Sequence, residues 1–122
     1  MTNFKNLKKG YVSKYFTIEE VACKGTNCCG GVYPMSREFL SVADALRKLS
    51  GGPLYVTSGF RCYTHNNTIE GSAPESKHTK GIAMDLYSNK VSPEELGELA
   101  RNLGLYVIVY DNRIHIDGRY LC

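Results

Sequence analysis

The sequence has no tryptophan, and it has no run of about eighteen consecutive apolar residues, the length that a transmembrane helix needs. Its first ten residues are polar and lack the apolar stretch of a secretory signal peptide. These absences predict a protein without a membrane partner that is made in the cytoplasm of the producing cell.

A large surplus of one charge is also missing, because the net charge is only +3. Such a small excess does not favour a nucleic-acid partner, although it would slightly favour an anionic polymer such as a cell wall. The length of 122 residues suits one ordinary domain with a single buried core. We therefore expect one domain over residues 1–122, acting as a monomer.

The sequence also lacks an even number of cysteines, which a complete disulfide framework would require. The five cysteines are Cys23, Cys28, Cys29, Cys62 and Cys122. An odd number without a signal peptide argues against such a framework. The first four could form a second, structural metal site, Cys62 could pair with a loop cysteine, or all could be free thiols. We expect Cys122 to be free.

Capping residues and apolar periodicity predict three helices. They span residues 17–23, 36–51 and 92–104. The first begins with a Thr17–Glu20 capping box, and the third has proline at its first helical position. The second carries apolar residues on one face, namely Phe39, Leu40, Ala43, Leu46 and Leu49.

Segments rich in β-branched and aromatic residues predict four strands. They are Leu54–Ser58, Ile82–Tyr87, Tyr106–Tyr110 and Ile114–Asp117. Residues 61–80 are polar and without a period, which predicts a long surface loop of the kind that is usually functional. The order of elements predicts an α+β fold, in which a small antiparallel sheet has helices packed on one face.

Side chains alternate across a strand, so the predicted sheet places several polar groups on the face opposite the core. Asp85, His115 and Asp117 share that face, and His78 lies at the end of the loop that leads into it. Two imidazoles and a carboxylate are a ligand set for a catalytic zinc ion with one open position. The residues alone leave open whether these groups bind a metal or form a solvated surface.

At these residues the sequence resembles the M15-type zinc D-Ala-D-Ala carboxypeptidases and endopeptidases. That family includes phage endolysins and has a distant fold relation to the hedgehog signalling domain. The resemblance covers nearly the whole chain, including the lead-in Phe16-Thr17-Ile18-Glu19-Glu20 with Cys23, and three further segments carry its motifs. They are the fixed positions of Ser76-x-His78-x-x-Gly81-x-Ala83-x-Asp85, the strand end Ser58-Gly59-Phe60-Arg61, and the late motif His115-x-Asp117.

The resemblance implies a zinc metallopeptidase that cuts amide bonds in peptidoglycan stem peptides or cross-links. Its three zinc ligands would be His78, Asp85 and His115, and its substrate contacts would be Arg61 and Ser76. Asp117 would be the leading candidate for the general base. Many relatives have a carboxylate where Asn112 stands here, so Asp111 is the alternative base.

Two alternatives stay open. In relatives with a His-x-His motif the second histidine binds the metal, which would place Asp117 on zinc and give His115 the catalytic role. The chain could also be a non-catalytic wall-binding domain or a structural virion component on the same fold. As an enzyme it would act on the cell wall after release from the cell or as part of a virion.

Overall fold

The computed structural model describes residues 3–69 and 76–121, which form an α+β fold. The helices are α1 (Ile18–Val21), α2 (Arg37–Leu49), α3 (Tyr63–Thr68) and α4 (Pro93–Asn102), and a 3-10 turn spans Lys77–Lys80. The strands are β1 (Leu54–Ser58), β2 (Ala83–Ser88), β3 (Tyr106–Val109) and β4 (Ile114–Asp117). In the described part of the chain, no helix is both long and apolar enough to cross a membrane.

The four strands form one antiparallel sheet in the order β1-β2-β4-β3. The central pair joins strands that are far apart in the sequence, and its register sets Asp85 directly opposite His115 and Ala83 opposite Asp117. Because directly opposed residues point to the same face, this register brings the predicted site residues of the two strands together.

The opposite face of the sheet packs against α2 and α4. The fully buried residues of this core include Phe39, Leu46, Met84, Leu86, Leu96, Ala100, Ile114 and Ile116. The apolar face of α2 does not reach Leu49, whose side chain is 55% exposed. The helical period carries the buried face from Leu46 to Ser50 instead, so Leu49 is not part of the core.

The predicted helix starts are confirmed by their caps. Thr17 and Glu20 form the reciprocal capping box, and the side chains of Ser36 and Ser92 accept backbone N–H groups of α2 and α4. Each cap satisfies a helix N–H group that has no partner within the helix, and so the short α1 can begin at a fixed residue.

The prediction of a long surface loop over residues 61–80 is wrong in part for the described residues of that segment. Helix α3 lies within it, and the side chains of Arg61, Asn66 and His78 are buried. Cys62 caps α3, since its sulfur accepts the backbone N–H of His65 at 3.4 Å. Tertiary contacts rather than apolar periodicity stabilise this segment, which is why its sequence resembles a loop.

Candidate metal centre

The structure gathers His78, Asp85 and His115, whose ligand atoms all lie within 4.8 Å of one another. Asp85 and His115 are brought together by the register of β2 and β4, and His78 is supplied by the 3-10 turn. Oδ1 of Asp85 lies 3.3 Å from Nε2 of His78 and 2.9 Å from Nδ1 of His115. The carboxylate therefore stands between the two imidazoles.

Gly81 makes the turn between His78 and Asp85 possible. Its φ is +71°, a left-handed conformation that glycine adopts without strain, and its carbonyl accepts the N–H of Ser36 at 2.8 Å. A Cβ atom at this position would overlap the carbonyl oxygen of Pro34. Both the conformation and the space therefore require glycine here.

His78 is held in one tautomer. Its side chain is 2% exposed, and its Nδ1 atom lies 2.7 Å from the carbonyl oxygen of Gly59. A carbonyl can only accept a hydrogen bond, so Nδ1 carries the hydrogen and Nε2 of the neutral ring carries a lone pair. Nε2 is buried and makes no hydrogen bond with the described residues, which is how a metal-binding imidazole is oriented.

His115 has a carboxylate at each ring nitrogen. Nδ1 lies 2.9 Å from Oδ1 of Asp85, and Nε2 lies 2.8 Å from Oδ2 of Asp117. A neutral imidazole has a single N–H and can donate to only one of them. A protonated ring would donate to both carboxylates, and a metal ion between Nδ1 and Asp85 would leave the Nε2–H of a neutral ring to donate to Asp117.

The two carboxylates of the site favour positive charge between them. Burial would by itself raise the pKa of the Asp85 carboxyl, but the close contacts with the imidazoles of His115 and His78 hold that pKa well below its usual range. Burial would likewise lower the pKa of His115, whereas its hydrogen bonds with Asp117 and Asp85 raise it above the usual value. Asp85 is therefore an anion at neutral pH, as a zinc-binding carboxylate must be.

Asp117 is fully buried behind His115. Its Oδ1 accepts the backbone N–H and the Nε–H of Arg119, and its Oδ2 accepts from Nη2 of Arg119 at 2.8 Å. Burial opposes ionisation, but the hydrogen bonds from His115 and Arg119 lower the pKa of Asp117 to about 2. Arg119 in turn lies over the ring of Tyr106, with Cζ 3.6 Å from the ring centroid.

A groove of about 770 Å³ opens beside Asp85 and is lined in part by Arg61, Asn112 and Arg113. Arg61 is only 8% exposed, and its Nε has no hydrogen-bond partner among the described residues. Burial lowers the pKa of Arg61, and the charge of Asp85 partly offsets this. A guanidinium retains its proton at neutral pH, so the groove contains a buried cation next to the candidate metal centre.

The remaining predicted site residues lie at different distances from this centre. Ser76 is the N-cap of the 3-10 turn, and its Oγ accepts the N–H of His78 at 3.2 Å, so it holds the turn in place. Asp111 is exposed in the turn between β3 and β4, where its neighbour Asn112 lines the groove. A substrate contact for Ser76 and a base role for Asp111 or Asp117 stay predictions.

Sequence reasoning missed two groups that orient the ligands. The carbonyl of Gly59 fixes the tautomer of His78, and no sequence pattern identifies a backbone acceptor. Arg119 holds Asp117, and a cation two residues after the His115-x-Asp117 motif was a signal that could have indicated this pair.

A second cluster of possible metal ligands is made of thiols. The cysteines Cys23, Cys28, Cys29 and Cys62 are free, and their sulfurs all lie within 4.8 Å of one another. The backbone N–H groups of Val32 and Gly31 lower the pKa of the Cys29 thiol to about 7. The predicted free thiol of Cys122 lies outside the described residues.

A protein-family model described as Peptidase M15 matches residues 14–117, which is most of the chain. The chain belongs to the M15 peptidase family. No curated protein and no solved structure matches it at a significant level. M15 peptidases are in general zinc-dependent, and His78, Asp85 and His115 of this M15 chain fit zinc in donor type and orientation.

Proposed function

We propose that this M15 chain is a zinc peptidase that hydrolyses amide bonds in peptidoglycan stem peptides or cross-links. One observation carries the proposal. Nε2 of the buried His78 ring faces the anionic Oδ1 of Asp85 at 3.3 Å while Nδ1 is taken by a backbone carbonyl, so a metal ion between Nε2 and Oδ1 would be bound by both atoms. The family match makes zinc the cation that best fits this ligand set.

The ligands would be Nε2 of His78, a carboxylate oxygen of Asp85 and Nδ1 of His115. When bound, zinc supplies Lewis-acid polarisation of a scissile carbonyl and a water whose pKa is about 7. The chain supplies the orientation of the ligands, because Gly59 fixes one imidazole and Asp117 fixes the other.

The geometry favours Asp117 as a positioning residue for His115. Its Oδ2 is engaged by Nε2 of His115, and its Oδ1 is engaged by Arg119. The general base would then be a different group, and Asp111 is the remaining candidate from the sequence. Asp111→Asn tests this role, since a lost base lowers kcat by roughly 10²–10⁴-fold while the zinc content stays unchanged.

Arg61 would bind a carboxylate of the substrate. Its guanidinium lines the same groove as Asp85, and a buried fork of donors recognises a carboxylate with two parallel hydrogen bonds. Stem peptides end in a free carboxylate, and so we infer that the groove binds this end beside the zinc site. Arg61→Lys should then raise KM for a peptide with a free C-terminus and leave its amidated counterpart unaffected.

The experiment that tests the proposed function is digestion of purified peptidoglycan by the zinc-loaded protein, with new peptide ends identified by mass spectrometry. Wild type should release peptides, and His78→Ala and Asp85→Asn should release none. His65→Ala is the matched control, because His65 is the remaining histidine of the sequence and is not one of the three proposed ligands. Wild-type protein that binds zinc but releases nothing would contradict the peptidase proposal.

One observation favours a second candidate, a wall-binding or structural virion domain without catalysis. Asn112, which cannot act as a base, lines the groove. Under this alternative the chain would bind peptidoglycan fragments without releasing product, and Asn112→Glu could restore cleavage. In either case we propose that the protein acts on the wall after release from the producing cell or as part of a virion.

A further inference from the structure

The four free cysteines come from three separate parts of the chain. Cys23 follows α1, Cys28 and Cys29 lie in the loop after it, and Cys62 is the cap of α3. Their sulfurs are separated by 3.9 Å from Cys23 to Cys28, by 3.8 Å from Cys23 to Cys62, and by 3.9 Å from Cys28 to Cys29. We propose that these four thiolates bind a structural zinc ion, separate from the His78 site.

These three separations match those of a tetrahedral zinc centre, and the remaining pairs lie within 4.8 Å. With a Zn–S bond of about 2.3 Å, tetrahedral geometry places two sulfurs about 3.8 Å apart. A disulfide needs about 2.05 Å between sulfurs and would join only two of the four thiols. The wide spacing between Cys23 and Cys28 is no obstacle, because the fold supplies the fourth ligand from Cys62.

The backbone of the loop that carries Cys28 and Cys29 has little hydrogen-bonded support. Residues 24–31 are all described, and none of them makes a backbone–backbone hydrogen bond with the rest of the described chain. The backbone hydrogen bond at the base of the loop runs from the N–H of Cys23 to the carbonyl of Val32, at 3.0 Å. A loop of this kind keeps a fixed conformation only if other contacts hold it, and four metal–sulfur bonds would do so.

The loop packs closely beside the sulfurs at Gly25. A Cβ atom on Gly25 would come within 2.8 Å of the sulfur of Cys28 and within 2.7 Å of the ring of His65. Asn27 has a left-handed φ of +54°, a conformation that non-glycine residues rarely adopt. The chain is therefore shaped closely around the thiol cluster.

The proposed site would also support the substrate groove. Cys62 directly follows Arg61, whose backbone N–H donates to the carbonyl of His78 at 3.2 Å, and the N–H of Phe60 donates to Val21 at 2.8 Å. A metal ion on Cys62 would hold Arg61 against the 3-10 turn that carries His78. Loss of this ion should therefore disorder the groove as well as the loop.

The test uses cobalt and zinc as probes on the full chain. Protein refolded with Co²⁺ should show the intense near-ultraviolet sulfur-to-cobalt bands of a thiolate site, both in wild type and in His78→Ala. By elemental analysis wild type should hold about two zinc ions per chain, and His78→Ala and Cys28→Ser about one each. Cys122→Ser is the control for the loss of a thiol other than these four and should keep both ions.

The His78→Ala variant keeps this test independent of the proposed function and of the folding of cysteine variants. If its cobalt complex shows the sulfur bands, thiolates bind the metal even though the peptidase site is lost. The proposal would be overturned if neither wild type nor His78→Ala showed these bands, or if the bands kept their full intensity in Cys28→Ser and in Cys62→Ser. Zinc that is bound by wild type and entirely lost in His78→Ala would overturn it equally.

Discussion

Nε2 of His78 and Oδ1 of Asp85 face each other at 3.3 Å, and the Nδ1–H of the same ring is committed to the carbonyl of Gly59. This pair turns two residues seven positions apart into half of a metal site. The 3-10 turn and the left-handed Gly81 bring the two side chains together. The second half is His115, which reaches Asp85 across the paired strands.

The role of Asp117 gives the first prediction. Asp117→Asn should weaken zinc binding at the His78 site by roughly 10–100-fold, because an amide no longer anchors His115 Nε2–H as a carboxylate does. Competition with a zinc chelator measures the affinity. Asp111→Asn, a change at an exposed carboxylate of the neighbouring turn, is the matched control and should bind zinc as wild type does. Equal zinc affinities for Asp117→Asn and wild type would show that Asp117 does not position His115 for metal binding.

The stability contributed by Asp117 should depend on pH. Its pKa is about 2 in the folded protein, lower than the usual value of 3.8, so its contribution is present above pH 4 and is lost as the pH falls toward 2. The shift corresponds to about 2 kcal/mol at neutral pH. This contribution is best measured in the His78→Ala variant. Loss of a metal ligand there keeps metal binding from adding to the measured stability.

Urea unfolding of His78→Ala and of His78→Ala/Asp117→Asn measures this contribution. The double variant should be less stable at pH 7, and the difference should narrow at pH 3. A difference that grew as the pH fell would show that the ionised carboxylate does not stabilise the fold.

The left-handed turn at Gly81 predicts a loss of stability when a side chain is introduced there. Gly81→Ala should destabilise the protein by more than the roughly 1–2 kcal/mol that a left-handed conformation costs other residues, because its Cβ would overlap Pro34. Gly104→Ala has a φ of +89° with no atom within 4 Å of the added Cβ, so it isolates the conformational cost. Thermal unfolding compares the two variants, and equal losses would exclude the steric contribution.

Two leucines near the end of α2 differ in burial, and their substitutions test the limit of the core. Leu46 is fully buried and Leu49 is 55% exposed, although both have the same side chain. Leu46→Ala should cost roughly 2–5 kcal/mol in unfolding free energy, and Leu49→Ala should cost less than about 0.5 kcal/mol. Denaturant unfolding measures both free energies. Similar losses for the two variants would contradict the difference in burial between Leu46 and Leu49.

Much of the fold follows from local signals in the sequence. The caps at Thr17, Ser36 and Ser92 predict where helices begin, because each side chain satisfies a helix N–H without help from the rest of the chain. Strand alternation likewise predicts that Asp85 and His115 share a face away from the core.

Other features depend on contacts between distant segments, which no local pattern encodes. Helix α3 has few apolar residues and begins at a sulfur cap, and so its sequence resembles a loop. The tautomer of His78 depends on a backbone carbonyl nineteen residues earlier, and the surroundings of Asp117 depend on a salt bridge to Arg119. These contacts decide which groups bind a metal and which only orient the ligands.

Crystallisation with zinc and an anomalous difference map at the zinc absorption edge tests the metal centre most directly. We predict a peak about 2.0–2.2 Å from Nε2 of His78, a carboxylate oxygen of Asp85 and Nδ1 of His115, with Asp117 bound to His115 rather than to the ion. A peak on Asp117 with His115 displaced, or no peak among these side chains, would contradict the account.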